Sequence, residues 1–404
     1  MADREQSARE AGPPRGERRL TVLLTCAMAF SMLQLFLLGA FGPRLVDELH
    51  VPTAVLGLTT TIGFGTAAVL SPFGGRLVDR IGPRRSLVLL LLVSGGALTL
   101  IGSAPGPGFL LAAVALGGLP QALANPATNK AILAAVSPAR RGAVTGTKQS
   151  GVQAGAFAAG LPLAALAGGV GWRAAVWTAA ASAVIVALWA WRALPADPPV
   201  RNAPSRFSPV PRGAIAWLTV FSVFLGSGIA SVNTYVALFG ARRLDLGATT
   251  AAALVAVLGV AGIVGRICWA KAARPGRAEW LPGLLAAGAV AAAGLLAASL
   301  WAPPLVWPAV VAVGVFAVSG NAVSMVLVMQ RVGPGRAGQD SALVSAGFFA
   351  GFAVGPPLFG VLAETGRYGA GWLLVAAEFA FACAVATTWA VRERGARNPA
   401  AVTT

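Results

Sequence analysis

The sequence contains few charged residues, and acidic residues are the scarcest of them. Among 404 residues there are 14 Asp and Glu against 31 Lys and Arg, and charged residues make up 11% of the chain. Soluble domains carry about 25% charged residues, whereas this chain is 56% hydrophobic and has a mean hydropathy of +0.74. The composition excludes a pair of soluble domains and predicts a chain that lies within a lipid bilayer.

Residues that carry enzyme chemistry are also scarce. The chain has one histidine and three cysteines, and Cys26, Cys268 and Cys383 lack metal-binding or redox spacing. There is no glycine-rich loop followed by Lys-Ser or Lys-Thr, so ATP is not expected to drive the protein. The sequence therefore predicts that the protein is not an enzyme and needs no metal and no cofactor.

In place of these features the sequence has twelve long apolar runs, cut by segments rich in Gly, Pro or Arg. A membrane span needs about 20 apolar residues. Backbone groups find no partners in lipid, so each run is predicted to be a helix, and the alternation typical of a barrel is absent. The predicted spans are 20–42, 53–75, 85–104, 108–133, 142–166, 173–194, 214–239, 247–270, 280–301, 305–329, 341–363 and 370–391.

The basic residues are distributed unevenly between the segments that join the runs. With a cytoplasmic N-terminus, most Lys and Arg residues fall on the cytoplasmic side, including Arg266 near the end of the eighth run. The exceptions on the outer side are Arg44, Arg173, Arg242, Arg243 and Arg367. Because the cations are spread over many loops, nucleic-acid binding is not expected. We predict a multi-pass protein of a plasma membrane, with both termini in the cytoplasm.

The longest polar stretch divides the apolar runs into two sets of six. It is rich in Pro and Arg, which is typical of a linker between domains. The two sets share a layout, because Gly151 and Gly155 of the first recur as Gly347 and Gly351 in the second, and this predicts two related bundles. The predicted organisation is a tail 1–19, a first bundle 20–194, a linker 195–213, a second bundle 214–391 and a tail 392–404.

The segment GGRLVDRIGPRRS at 74–86 places one Asp and four Arg between the second and third runs. Its pattern resembles motif A, the signature loop of the major facilitator superfamily, and the resemblance in spans, halves and linker extends over the whole chain. It implies an all-α membrane protein with twelve transmembrane helices in two pseudo-symmetric six-helix bundles. The residues that carry the motif are Gly75, Asp79, Arg80, Gly82 and Arg84.

The resemblance also implies a role for this loop as a conformational lock. Asp79 would join the halves on the cytoplasmic side, pair with an arginine, contact the start of helix 11 near 338–341 and favour the outward-open state. Pro83 departs from the motif, and the second-half copy has Trp269 in place of the Asp. The alternative for Arg84 and Arg85 is a purely topogenic charge that holds the loop in the cytoplasm.

Polar side chains inside the runs form stripes. Gln121, Asn125 and Asn129 recur every four residues and share one face of their helix. Polar groups in lipid are costly, so that face is expected to point inward. In the family that the motif resembles, helices 1, 4, 7 and 10 line a central cavity and helices 2, 5, 8 and 11 flank it. The predicted substrate-binding residues are Gln34, Gln121, Asn125, Asn129, Lys130, Lys148, Gln149, Tyr235 and Asn321.

Lys148 is the sharpest candidate among them. It lies roughly 10 Å into the fifth span, and no acidic residue of the first eleven runs is well placed to pair with it. Two hypotheses follow: an incoming anion is its partner, or its side chain extends to the cytoplasm. Extension to the cytoplasm is favoured for Lys130, and Glu378 in the last run is expected to be a packing residue before a coupling residue.

Three functions stay open at this point. The first is uptake or exchange of a small organic anion. The second is efflux of a drug-like compound, because the Gly and Pro residues of the fifth and eleventh runs resemble an antiporter motif of the family. The third is a receptor without net flux on the same scaffold. The expected partners are a small-molecule substrate, with or without a co-transported ion, and the bilayer; the protein is expected to be monomeric and resembles a bacterial subset of the family without an assigned substrate.

Overall fold

The computed structural model describes residues 15–41, 45, 53–197, 210–246, 248–274, 278–331 and 336–397. Within these ranges the chain is helical and has no strand, which confirms the predicted all-α fold. Most of the predicted linker 195–213, most of both predicted tails, and His50 lie outside the described residues.

Twelve helices follow one another in the described part of the chain, and we number them α1 to α12. The first six are α1 Arg15–Ala40, α2 Thr53–Ile81, α3 Pro83–Gly102, α4 Pro107–Ala135, α5 Pro138–Val170 and α6 Trp172–Ala193. The second six are α7 Gly213–Arg243, α8 Ala248–Ala272, α9 Leu281–Ala298, α10 Pro303–Arg331, α11 Ala337–Glu364 and α12 Tyr368–Arg397.

Eleven helices in the described ranges are long and apolar enough to cross a membrane, and α2 is the one outside this set. With 29 residues, α2 is about 43 Å long, which also suffices to cross a bilayer. The structure therefore agrees with the predicted count of twelve membrane helices.

Helix α2 ends later than the sequence predicts, and the motif residues are correspondingly helical. The predicted span stops at residue 75 with a loop after it, whereas α2 continues through Asp79 to Ile81. No proline or second glycine interrupts the segment between Gly75 and Gly82, so the helix continues. Gly82 then adopts a φ of 88°, a left-handed conformation that favours glycine, and Pro83 begins α3.

Three helices contain interruptions. Helix α4 consists of Pro107–Leu116 and Gly118–Ala135 around Gly117, and α5 of Pro138–Gly160 and Pro162–Val170 around Leu161. Within α10, Val313–Ala317 forms a π-helical turn. Such turns interrupt the regular hydrogen-bond pattern of an α-helix and occur frequently at functional sites.

The helices pair in the same way in the two halves: α1 packs on α5 and α3 on α6, as α7 packs on α11 and α9 on α12. A Cβ at Gly155 would lie 2.9 Å from the carbonyl oxygen of Ala29, and one at Gly347 would lie 2.5 Å from that of Thr219. Only glycine permits such close helix approach. The glycines on which we predict a repeat thus lie in equivalent helix contacts, α5 on α1 and α11 on α7.

The halves contact each other through α2 with α11 and through α5 with α8. These two contacts correspond to each other when the halves are exchanged. We call the end of the bundle where α2 ends and α11 begins the Asp79 end. There a Cβ at Gly75 would lie 2.6 Å from the carbonyl oxygen of Gly338, and one at Gly146 would lie 2.7 Å from that of Arg266. At this end, therefore, the main chains of the two halves lie in direct contact at both helix pairs.

Candidate functional site

Asp79 joins the two halves at the Asp79 end. Its Oδ1 accepts a hydrogen bond from the main-chain N–H of Gly338 at 3.1 Å, and its Oδ2 accepts one from Gln339 at 3.0 Å. Both donors lie in the first turn of α11, where N–H groups have no partner within their own helix and carry partial positive charge. The Asp79 side chain is only 4% exposed, so the carboxylate caps α11 in the place the sequence predicts.

Lys130 belongs to this capping contact in the structure. Its Nζ lies 3.3 Å from Asp79 Oδ1 and donates to the carbonyl oxygens of Val78 and Asp79, each at 3.0 Å. From the sequence we predict Lys130 as a substrate-binding residue and an arginine beside Asp79, but the lysine takes that position. The expectation that Lys130 extends toward the helix end agrees with this geometry.

Gly75 lies in the contact of α2 with α11, whereas Arg84 serves a different contact, within the first half. The carboxylate of Asp197 accepts hydrogen bonds from the main-chain N–H groups of Arg84 and Arg85, both at 2.9 Å, and so caps α3. The Arg84 guanidinium lies over the Trp191 ring, 4.1 Å from its centroid, and donates to the Trp191 carbonyl oxygen. Arg84 therefore ties α3 to α6, and Arg80 is exposed.

Lys148 is completely buried, with 0% exposure, inside a cluster of neutral polar side chains. Its Nζ donates to Asn125 Oδ1 at 3.2 Å, to Thr128 Oγ1 at 2.6 Å and to Asn129 Oδ1 at 2.7 Å. All three acceptors lie on α4, so the hypothesis that Lys148 extends to the cytoplasm is wrong for this structure. The ammonium has its hydrogen bonds, but no carboxylate within the described residues neutralises its charge.

The same asparagines connect the cluster to the second half. Asn125 Nδ2 donates to Ser345 Oγ at 3.0 Å, and Asn129 Nδ2 donates to Ser341 Oγ at 2.9 Å. The two serines lie one turn apart on α11, as the two asparagines do on α4. Lys148 thus lies at the junction between the halves, where relative movement of the bundles would change its surroundings.

Arg266 is a second buried cation, and sequence reasoning missed it. It lies in α8 and is 3% exposed, although we predict it as one of the cytoplasmic topogenic charges. Its Nη1 donates to the carbonyl oxygen of Gln149 at 2.6 Å and its Nε to that of Val318 at 3.2 Å. The Val318 carbonyl directly follows the π-helical turn of α10.

Several buried polar atoms around this cluster have no partner in the part of the chain that the structure describes. Gln149 donates to Asn125 Oδ1 at 2.7 Å, but its own Oε1 accepts nothing. The side-chain nitrogen and oxygen of Gln121 also lack a hydrogen bond, and so does Oδ1 of Asn321. Buried polar atoms without a partner are costly, so this set indicates a place that a polar ligand or water can occupy.

Two predicted residues have their contacts elsewhere. Gln34 on α1 packs against Gly117 at the break in α4, and its Nε2 lies 3.5 Å from the Val114 carbonyl oxygen. Tyr235 on α7 stacks on Phe359 with 4.7 Å between the ring centroids. The structure therefore brings together the Asn, Lys and Gln of α4 and α5, but not these two side chains.

Glu378 on α12 is buried against α7. Its Oε1 accepts a hydrogen bond from Ser227 Oγ at 2.6 Å, while Oε2 has no partner within the described ranges. It therefore packs at a helix contact of the second half, in line with the expectation of a packing residue.

Comparison with known proteins gives a consistent result. The sequence profile of the Major Facilitator Superfamily matches residues 24–344, which is more than three quarters of the chain. No curated protein matches the sequence.

Solved transporter structures have a similar fold. The human organic anion transporter MFSD10 (TETRAN) is 15% identical with a TM-score of 0.77, over 93% of this chain and 100% of its own. An outward-facing bacterial homologue of the iron transporter ferroportin with soaked iron is 14% identical with a TM-score of 0.72, over 91% and 98%. The proton:xylose symporter XylE is 13% identical with a TM-score of 0.78, over 91% and 94%. At these identities the likeness concerns the fold.

Proposed function

Because the chain belongs to the Major Facilitator Superfamily, a family of membrane transporters and not of enzymes, we propose that it carries a small organic anion by alternating access. The single observation that supports this substrate class is Lys148, a fully buried ammonium that only neutral groups contact. An unneutralised charge in a low-dielectric interior costs several kcal/mol. Binding of an anion beside Lys148 removes that cost.

The position of Lys148 supports a role in transport as well as in binding. Asn125 and Asn129 hold Lys148 from one side and contact Ser345 and Ser341 of the other half. A ligand that enters this cluster competes for the same hydrogen bonds. Binding would therefore loosen contacts between the halves, which the Asp79 cap otherwise stabilises.

The orientation and the assembly are part of the proposal. The Asp79 end carries the basic residues at the ends of α2, α6, α8 and α12, so we place it in the cytoplasm of a bacterial cell, together with both termini. The Asp79 cap then closes the cytoplasmic side. The described helices complete both bundles within one chain, which supports a monomer.

The two alternatives have less support. A Cβ at Gly155 or Gly351 would clash with a main-chain carbonyl oxygen of α1 or α7, so helix packing accounts for the glycines that suggest a drug antiporter. A receptor would bind the ligand without net flux, so a measurement of anion flux in proteoliposomes distinguishes it from a transporter.

A ligand-dependent stability measurement tests the substrate class. The purified protein is heated with small carboxylates and with neutral and cationic compounds of similar size. At about 100 times its dissociation constant a ligand adds about 2.7 kcal/mol of stability, so a bound carboxylate raises Tm measurably. We expect the shift to disappear in Lys148→Gln and to persist in Lys271→Gln, which removes an exposed lysine of α8. Equal stabilisation by neutral compounds, or an unchanged shift in Lys148→Gln, would contradict the proposal.

A further inference from the structure

Arg266 presents hydrogen-bond donors that no residue in the described ranges accepts. A guanidinium has five N–H groups, and Arg266 uses the Nε group for Val318 and one Nη1 group for Gln149. The remaining Nη1 hydrogen and both Nη2 hydrogens have no acceptor in the described chain. The residue as a whole is 3% exposed, so only a small accessible space beside the guanidinium meets these donors.

A short chain of contacts links Arg266 to Lys148. Lys148 Nζ lies 3.2 Å from Asn125 Oδ1, and Gln149 Nε2 donates to the same oxygen at 2.7 Å. The carbonyl oxygen of Gln149 in turn accepts from Arg266 Nη1 at 2.6 Å. The two cations therefore lie on either side of one residue, Lys148 on the first half and Arg266 on the second.

The acidic side chains that form ion pairs or helix caps in the described chain bind other groups. Asp79 binds Lys130 and α11, Asp340 binds Arg336, Glu17 binds Arg140, and Glu279 and Glu393 bind Arg331. Asp197 caps α3 and Glu378 contacts Ser227. None of them contacts Lys148 or Arg266, so the described junction carries two positive charges without an internal counter-charge.

Polar atoms without partners lie in the same region. Gln149 Oε1 belongs to the residue between the cations. Asn321 is one helical turn before Met325, whose Sδ lies 3.5 Å from Asn129 Nδ2, and Gln121 is one turn before Asn125. Because α4 and α10 run in the same direction, Asn321 and Gln121 each lie one helical turn from residues of the Lys148 cluster or its contacts, on the same side of it.

We propose that the substrate is a dianion, such as a dicarboxylate, with one anionic group on Lys148 and the other on the free N–H groups of Arg266. This inference rests on the proposed function and specifies its substrate class. A planar guanidinium fork suits a carboxylate better than an ammonium does. A dianion neutralises both buried charges, whereas a monoanion leaves one of them uncompensated in a low-dielectric site. Because the cations come from different halves, the dianion bridges the bundles.

The experiment compares acids of equal chain length that differ in the number of carboxylates. Succinate, glutarate and adipate are titrated against butyrate, valerate and hexanoate by calorimetry on the full-length protein in nanodiscs. For the wild type we expect the best dicarboxylate to bind at least about tenfold tighter than its monocarboxylate partner. Arg266→Gln should abolish this preference while monocarboxylate affinity changes less than about threefold, and Arg266→Lys should retain part of it.

Matched outcomes separate this inference from the proposed function. Lys271→Gln, the exposed control on the same helix, should keep the preference. If monocarboxylates bind as well as dicarboxylates, or if Arg266→Gln keeps the preference, Arg266 only fastens α8 to α5 and the dianion proposal is wrong while the anion proposal stands. If neither series binds to the wild type, both proposals are wrong. A folding defect of Arg266→Gln would appear as a lower Tm. In that case the preference of the wild type for dicarboxylates, and its partial retention in Arg266→Lys, test the dianion proposal.

Discussion

Gly338 donates its main-chain N–H to the carboxylate of Asp79 at 3.1 Å, across a separation of 259 positions in the chain. The neighbouring N–H of Gln339 binds the other carboxylate oxygen at 3.0 Å. One side chain of the first half therefore caps the first helix turn of α11 in the second half, and it is itself held by Lys130. Movement of the halves apart at this end requires that both hydrogen bonds break.

Removal of the Asp79 carboxylate should open the Asp79 end. Hydrogen bonds to a charged group contribute about 1.5–3 kcal/mol each, so Asp79→Ala should shift the closed-to-open ratio by roughly 100-fold or more. Spin labels on exposed Arg192 and Lys271 report the distance between α6 and α8. We expect a population with a longer distance between the labels in Asp79→Ala, measured by double electron–electron resonance. Cys26, Cys268 and Cys383 are replaced beforehand so that only the two chosen sites carry a label.

The control for this measurement is Arg80→Ala, because Arg80 is exposed beside Asp79. Its distance distribution should equal that of the parent protein. An unchanged distribution in Asp79→Ala would show that the cap does not hold the halves together.

The close approach of α2 and α11 at Gly75 leads to a second prediction. A Cβ at this position would lie 2.6 Å from the Gly338 carbonyl oxygen and 2.9 Å from the Gln339 Cα. Gly75→Ala should therefore force the helices apart, lower Tm and lengthen the same spin-label distance. Gly65 on the same helix has nothing within 4 Å of its Cβ position, so Gly65→Ala should change neither. Equal behaviour of the two variants would refute the packing argument.

A carboxylate introduced beside Lys148 should imitate the bound anion. Asn125→Asp places an acid at the atom that lies 3.2 Å from Lys148 Nζ, where an internal ion pair removes the cost of the unneutralised charge. We expect a higher Tm without ligand and loss of carboxylate-dependent stabilisation. Asn233→Asp, on α7 and half-buried, is the comparison and should keep the ligand response. A variant of Asn125 that still responds to carboxylates would argue against Lys148 as the anion site.

The cap on α3 predicts a stability effect without a transport effect. Asp197→Ala removes both acceptors for the Arg84 and Arg85 N–H groups and should cost about 1–2 kcal/mol. Asp197→Asn keeps one acceptor and should lose less. Thermal unfolding measures both variants, and an unchanged Tm in Asp197→Ala would show that the cap is dispensable.

The sequence predicts much of the fold because membrane helices leave local signals. Apolar runs depend on residues close in the chain, and the basic asymmetry and the recurring glycine pairs are found by comparing such segments along the chain. The inward-facing stripe of Asn125 and Asn129 follows from the cost of polar groups in lipid, whereas the sequence leaves open whether Lys148 is buried or extends to the cytoplasm. The contact between Asp79 and α11 comes from the resemblance to motif A, which carries a distant contact that local signals do not encode.

The residues that sequence reasoning missed depend on how the halves dock. An arginine near the end of a span has the same local pattern whether it faces the cytoplasm or, like Arg266, a carbonyl group of another helix. Ser341 and Ser345 are ordinary residues of α11 until Asn129 and Asn125 lie opposite them. Lys130 shows the converse: its charge suggests a substrate ligand, but the nearby end of α2 supplies its partner.

Flux of an anion in proteoliposomes tests the central claim most directly. The carboxylate that stabilises the protein best is supplied in radiolabelled form outside vesicles that contain the same unlabelled carboxylate. We expect saturable uptake by the wild type, loss of uptake in Lys148→Gln, and wild-type uptake in Lys271→Gln. Binding without uptake would identify a receptor, and uptake that Lys148→Gln leaves unchanged would show that Lys148 does not bind a transported anion.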